Sequence, residues 1–333
     1  MSDRVRGIGY DAGVVYEKHF HSNPHFSEQH ARRDFRAVRE DLGCDAVLVM
    51  ATDPDHLDVA ARCAADEGLA VWLQPRPFDR PAGELVEAVR AAATTAEDLR
   101  TAGATAGLVV GCELTLSTPG MLPGPTFWTR GMLLTLTFPL LPRANRRLRR
   151  LLAQLVGEAR ERFAGPVSYG AGDWERPDWS IFDVVGADRY RDARNTWRFE
   201  DDIRALAGAA HAHGKPVYVF EFGTCTYRGA AEKASTAAGV LGGRKVPTVP
   251  RRLVRDEQEQ ADYLVDLLDL FDRADVDGTF VWGFSEPALT TSDEPGRDLD
   301  LASYGVVTAH ADGTWTPKRA YHALARRHRE ATP

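Results

Sequence analysis

Two glutamates stand at the ends of apolar runs, where a carboxylate is costly to ionise unless something partners it. One is Glu113 in Leu108-Val109-Val110-Gly111-Cys112-Glu113-Leu114; the other is Glu221 in Val217-Tyr218-Val219-Phe220-Glu221-Phe222-Gly223. Two carboxyl groups in different surroundings are what cleavage of a glycosidic bond requires: one protonates the departing oxygen, and the other attacks the anomeric carbon or directs water to it. Either acid alone reads as a salt bridge, whereas the pair points to catalysis. Other polar residues fall where they can touch a substrate: Tyr10 and Asp11 end an apolar run, and Gln74 and Arg76 end another. Trp174, flanked by Asp173 and Glu175, suits a sugar subsite, because an apolar ring face matches the C–H face of a pyranose. Glu286, Asp293, Glu294, Asp298 and Asp300 form an acidic lip that reads mainly as solvated loop charge, with Glu286 kept as a substrate contact. His19, His21 and His25 are close enough to suggest a metal, but their spacing fits no zinc pattern, and no metal site is expected.

The elements that must position these groups alternate. Eight short runs rich in Val, Ile and Leu predict strands over 7–11, 46–51, 70–74, 107–114, 167–170, 184–189, 217–222 and 279–284. Amphipathic stretches predict helices over 27–42, capped by Ser27, and over 55–66, 83–101, 145–162, 200–213, 257–274 and 317–327. Between the fifth and sixth strands only 179–182 is available to be helical. Gly7-Ile8-Gly9 is followed by Ala12 and lacks the glycine that a dinucleotide-binding turn needs. The pattern therefore predicts a single (β/α)8 barrel over residues 1–333, with catalytic groups at the C-terminal strand ends. Strands four and seven lie across the mouth from each other. Two long connections, 115–142 and 223–253, emerge on that face. In the first, Met121, Phe127, Trp128, Met132 and Leu133 are expected to cover the mouth; in the second, 229–243, rich in Ala, Gly, Lys and Ser, is expected to be mobile.

At these residues the chain resembles the retaining glycoside hydrolases of the large (β/α)8 clan that includes cellulases, mannanases and β-galactosidases. The resemblance assigns Glu113, ending the fourth strand, as general acid/base and Glu221, ending the seventh, as nucleophile of a double displacement. Tyr190 in Gly186-Ala187-Asp188-Arg189-Tyr190 matches the clan's tyrosine beside the nucleophile, and Trp282 in Val281-Trp282-Gly283-Phe284 matches its tryptophan floor. The ending, from Tyr304-Gly305-Val306-Val307 to Trp315-Thr316-Pro317-Lys318-Arg319-Ala320-Tyr321, is similar too. Two positions depart from the clan. Cys112 stands where an asparagine usually binds the sugar 2-hydroxyl, and Met50-Ala51-Thr52-Asp53 offers no arginine at the end of the second strand. The expected function is glycoside hydrolysis on a carbohydrate or glycoside without a cofactor. Its alternatives are a carbohydrate-binding barrel without turnover and a tailoring enzyme using the same carboxylates for proton transfer on a natural product.

Composition narrows the partners. The chain has 333 residues, 44% hydrophobic and 27% charged, with a net charge of -7. Its basic residues are scattered along helices, so nucleic acid is not an expected partner; a small-molecule or oligosaccharide substrate is. The one dense basic run, Arg143, Arg146, Arg147, Arg149 and Arg150, reads as a solvated helix face. Cys44, Cys63, Cys112 and Cys225 are far apart and predict free thiols. Neither a secretion signal nor a membrane span is evident, and a cytoplasmic protein is expected.

Overall fold

A computed structural model describes residues 4–17, 20–243 and 246–330; His19 lies outside the described residues. Eight parallel strands form the sheet: Val5–Asp11, Ala46–Ala51, Ala70–Pro75, Ala106–Cys112, Val167–Gly170, Val185–Asp188, Val217–Phe222 and Gly278–Val281. In that numbering their order is 5-4-3-2-1-8-7-6, with the first strand hydrogen-bonded to the eighth. A parallel bridge between Ala171 and Ala187 joins the fifth strand to the sixth and closes the ring. The fold is a (β/α)8 barrel.

Helices Glu28–Glu40, Pro54–Asp66, Ala82–Thr101, Leu141–Arg160, Phe199–His211, Glu257–Arg273 and Arg319–Glu330 cover the outside. The short turn of helix Trp179–Ile181 stands between the fifth and sixth strands. Ser27 caps the first helix, its hydroxyl accepting from the His30 amide at 3.2 Å. The last helix begins at Arg319 instead of Pro317, because Trp315–Pro317 pairs antiparallel with Val307–Ala309. Among the described residues no helix is long and apolar enough to cross a membrane.

Period-two alternation sorts each strand between two cores. In the second strand Val47, Val49 and Ala51 pack toward the helices, while Ala46, Leu48 and Met50 join Trp72, Phe220, Phe280 and Trp282 inside the barrel. Glycine makes room where large rings meet it: a Cβ on Gly107 would fall 2.6 Å from the Trp72 ring.

The two long connections differ from expectation. Residues 229–243, expected to be mobile, are anchored at three alanines: Ala230, Ala234 and Ala237 are fully buried, and the Tyr227 hydroxyl donates to the Ala237 carbonyl at 3.0 Å. Small side chains allow this close approach. After the fourth strand, Phe127 does pack at the mouth, stacked on Phe78 at 4.9 Å. The buried Arg130 pins the segment by donating to Asp79 and to the carbonyls of Leu116 and Gly124. Trp128 lies at the mouth too, 5.7 Å from the Tyr16 ring, whereas Met132 and Leu133 stand exposed.

Candidate active site

The seventh strand carries one residue more than its neighbours. Ala187 pairs with Val219 but Asp188 with Glu221, and on the other side Thr279 pairs with Val219 but Val281 with Phe222. Such a bulge interrupts the alternation and re-aims the next side chain. Phe220 already faces the barrel interior, so an unbroken strand would point Glu221 toward the helices. The bulge brings it inward instead. There the Arg76 guanidinium donates to Glu221 Oε1, the Tyr190 hydroxyl donates to Oε2 at 3.1 Å, and the Cys112 thiol lies 3.5 Å from Oε1.

Arg76 is itself 2% exposed and fully engaged. Its Nε donates to Gln74 Oε1 at 2.7 Å, and its guanidinium lies 4.7 Å from the Trp282 ring centroid and 5.7 Å from that of Phe78. The arginine missing from the second strand is thus supplied by the third. Ala51 pairs with Pro75, and the Arg76 amide donates to the Ala51 carbonyl at 2.8 Å, so the two strand ends are neighbours. Gln74 and Arg76 were expected to touch substrate; they are buried beneath the mouth and serve the glutamate.

The fourth strand also has an extra residue, since Val109 pairs with Ser168 but Cys112 with Gly170. Cys112, expected to face substrate, is buried inside with its thiol 3.6 Å from Asp188 Oδ2. Burial and the neighbouring Glu221 charge push the Asp188 carboxyl well above its ordinary range. Asp188 Oδ1 and Gln74 Nε2, both buried, have no hydrogen-bond partner among the described residues. A Cβ on Gly170 would lie 3.2 Å from each, so the glycine leaves this junction open. Ligand atoms of Cys112, Asp188 and Glu221 fall within 4.8 Å of one another, the spacing of a cation site. The Arg76 guanidinium already on Glu221 Oε1 opposes a metal there.

Glu113 meets different conditions. Its backbone is left-handed, at φ 43° and ψ 49°, a conformation that costs an ordinary residue of order 1–3 kcal/mol and persists only where its surroundings fix it. They do so here. The Glu113 amide donates to the Gly170 carbonyl at 3.0 Å, and its own carbonyl accepts from Leu116 and Ser117 at 2.8 and 2.9 Å. Glu175, buried behind the turn, accepts from the Thr115 amide and hydroxyl and from the Tyr169 hydroxyl, which in turn accepts from the Leu114 amide. The Glu113 carboxyl, among the described residues, makes no hydrogen bond. Burial first, then the charges of Asp188, Glu221 and Glu175, push it well above the usual carboxylate range.

The remaining predicted contacts divide. Asp11 turns inward, its Oδ1 accepting from the Gly13 and Val14 amides at 2.8 and 3.0 Å, and Trp282 joins the interior cluster. Tyr10, expected to touch substrate, instead faces the helix layer, packed 4.4 Å from Phe35 with its hydroxyl donating to Asp34. Trp174 donates from Nε1 to Thr115 at 2.8 Å and packs with Leu116 and Leu122, bracing the turn that carries Glu113. Glu286 accepts from the Tyr304 amide at 2.6 Å, and burial pushes it up to about 7. His21 and His25 are exposed.

Known structures resemble this fold. No protein-family model and no curated protein matches the chain. Solved structures do, over nearly its whole length. A GH113 β-1,4-mannanase superposes with a TM-score of 0.61 at 17% identity, covering 99% of both chains. The GH113 β-mannanase of Alicyclobacillus acidocaldarius, in complex with ManMIm, gives 0.61 at 16% identity, covering 99% of this chain and 98% of that one. Thermotoga maritima Cel5A in complex with mannotriose gives 0.57 at 12%, covering 96% and 97%. The chain has the fold of these (β/α)8 glycoside hydrolases. The expected likeness to that clan therefore holds at the level of architecture.

Asp188 and the buried Glu175 were not among the predicted contacts. The signal for Asp188 was present, because it ends the apolar run Val184-Val185-Gly186-Ala187 just as Glu113 and Glu221 end theirs.

Proposed function

We propose that the protein is a retaining glycoside hydrolase acting on a β-linked hexopyranoside. What carries this reading is the contrast at the mouth: Glu221 is held at both oxygens by Arg76 and Tyr190, while the Glu113 carboxyl, without a hydrogen bond among the described residues, is pushed toward its protonated form. In the first step Glu113 donates its proton to the glycosidic oxygen as a Glu221 oxygen attacks the anomeric carbon. The carbon–oxygen bond to the leaving group breaks, and a glycosyl ester forms on Glu221. In the second, the Glu113 carboxylate takes a proton from water, which attacks the anomeric carbon and releases Glu221. Arg76 and Tyr190 orient the nucleophile and receive it again as an anion. Mannan and glucuronide enzymes among the structural neighbours favour a β-mannoside or β-glucuronide over other sugars as first substrates to try. We place the activity in the cytoplasm, where the four buried free thiols stay reduced.

Incubation with activated 2-fluoro β-mannoside, β-glucoside and β-glucuronide, followed by digestion and mass spectrometry, tests the proposal. The expected result is one glycosyl adduct on Glu221. An adduct on Glu113, or none from any of the three sugars on protein that still unfolds cooperatively, overturns it.

A further inference from the structure

The segment between Arg130 and helix Leu141–Arg160 leaves a second surface unexplained. Trp128, Met132, Leu133, Leu136, Phe138 and Leu140 are all exposed, Met132 by 83% and Leu136 by 77%. From Met132 to Leu140 Thr137 alone is buried. Water-facing apolar side chains scattered singly are ordinary; so many on one short segment mark a contact surface.

The adjoining helix indicates the occupant. Arg143, Arg146, Arg147, Arg149 and Arg150 are all exposed. The buried stripe Ala144, Leu148, Leu151 and Leu155 turns one face of the helix to the barrel, and at helical spacing Arg143, Arg146 and Arg150 fall on the opposite face. Arg147 and Arg149 donate to the carbonyls of Gly120 and Arg176. Among the described residues none of the five forms a salt bridge, and Arg149 alone has a carboxylate, that of Asp178, near enough to feel its charge. A protein of net charge -7 thus concentrates positive charge beside its most exposed apolar segment. Leucine, phenylalanine and tryptophan next to unpaired arginines are complementary to an anionic bilayer: the rings and alkyl groups enter the headgroup boundary, and the guanidinium groups meet the phosphates.

We propose that residues 128–150 dock the barrel onto an anionic lipid surface. The docking face adjoins the mouth. Trp128 and Phe127 pack on Tyr16, which packs on Phe78, and Phe78 lies against Arg76 beside Glu221. The inference does not depend on the proposed catalysis, because binding alone tests it.

The test is flotation of the full-length protein with vesicles of phosphatidylcholine alone and of phosphatidylcholine with about one third phosphatidylglycerol. Binding to the anionic vesicles is expected, weakening as salt rises. Arg146→Ala/Arg150→Ala should weaken it roughly 20- to 30-fold, at about fivefold per charge. Leu136→Asp/Phe138→Asp should abolish it, with thermal unfolding unchanged because both side chains are exposed. Absence of binding, or binding to both vesicle types that ignores salt and the arginine variant, overturns the proposal. So does a protein that leaves vesicles alone but self-associates until Leu136→Asp/Phe138→Asp disperses it, which would make the face a contact between copies.

Discussion

On the fourth strand the extra residue falls before Cys112, and the glutamate beyond it sits in a left-handed turn with its carboxyl free. On the seventh strand the extra residue falls at Glu221 itself, and its carboxylate drops among an arginine, a tyrosine and a thiol. The same side chain and the same kind of bulge produce opposite electrostatic surroundings. What separates them is the surroundings: at Glu113 burial and then other carboxylates raise the cost of ionising, while at Glu221 hydrogen-bond donors occupy both oxygens. Residue type locates the pair, and the donors around each member assign its part in the proposed reaction.

The assignment breaks most directly through the leaving group. With an alkyl aglycone, Glu113→Gln and Glu221→Gln should each slow turnover on the order of 10³-fold or more. With a dinitrophenyl aglycone, which departs without a proton, Glu113→Gln should recover most of its single-turnover rate of bond cleavage, and Glu221→Gln should recover none. Equal losses on both substrates would erase the distinction between the two acids.

A smaller effect, on stability, separates the same two sites. Arg76→Met leaves Glu221 buried without its cation and should cost about 3–5 kcal/mol in urea unfolding. Adding Glu221→Gln to that variant should return part of the loss, because the uncompensated charge is gone. At Glu113, which among the described residues forms no salt bridge, substitution by glutamine should leave stability unchanged or raise it. If Arg76→Met proves harmless, the buried pair is not what holds Glu221.

Much of this was legible in the chain. The eight apolar runs and their spacing give the barrel, and both glutamates and Tyr190 sit at strand ends that a pattern of residues can reveal. The first strand even carried its own sorting, since Ile8 and Tyr10 share one parity and Gly7, Gly9 and Asp11 the other. That parity sends Tyr10 to the helices and Asp11 inward. Bulges were not legible, because inserting a residue between paired strands is settled by both partners at once. Without them, alternation misplaces Glu221 and Cys112. The arginine beside Glu221 was sought on the second strand and came from the third, a distinction that needs the register of two strands. The long connections mislead for a related reason. Alanine and glycine suggested mobility over 229–243, yet Ala230, Ala234 and Ala237 are buried there, whereas Met132 and Leu133 suggested cover yet stand exposed.

Asp188 offers the subtlest way to sharpen the contrast, since it raises Glu113 while standing beside Glu221. Its carboxyl is itself raised by folding, so the folded protein keeps a proton that the unfolded chain releases near pH ~4. This group's contribution is therefore most favourable below that pH, and it falls as pH rises toward the folded value. Asp188→Asn removes the dependence: variant and wild type should be closest in stability at acid pH, with the variant gaining by about pH 8. Activity should respond in the opposite sense. Once Asp188 has ionised, its charge holds the proton on Glu113; the variant lacks that charge, so the alkaline limb of kcat/KM, where the acid is lost, should move to lower pH. A limb that stays in place, or moves upward, would mean that Asp188 does not set the proton affinity of the fourth-strand glutamate, and that burial alone keeps that carboxyl protonated.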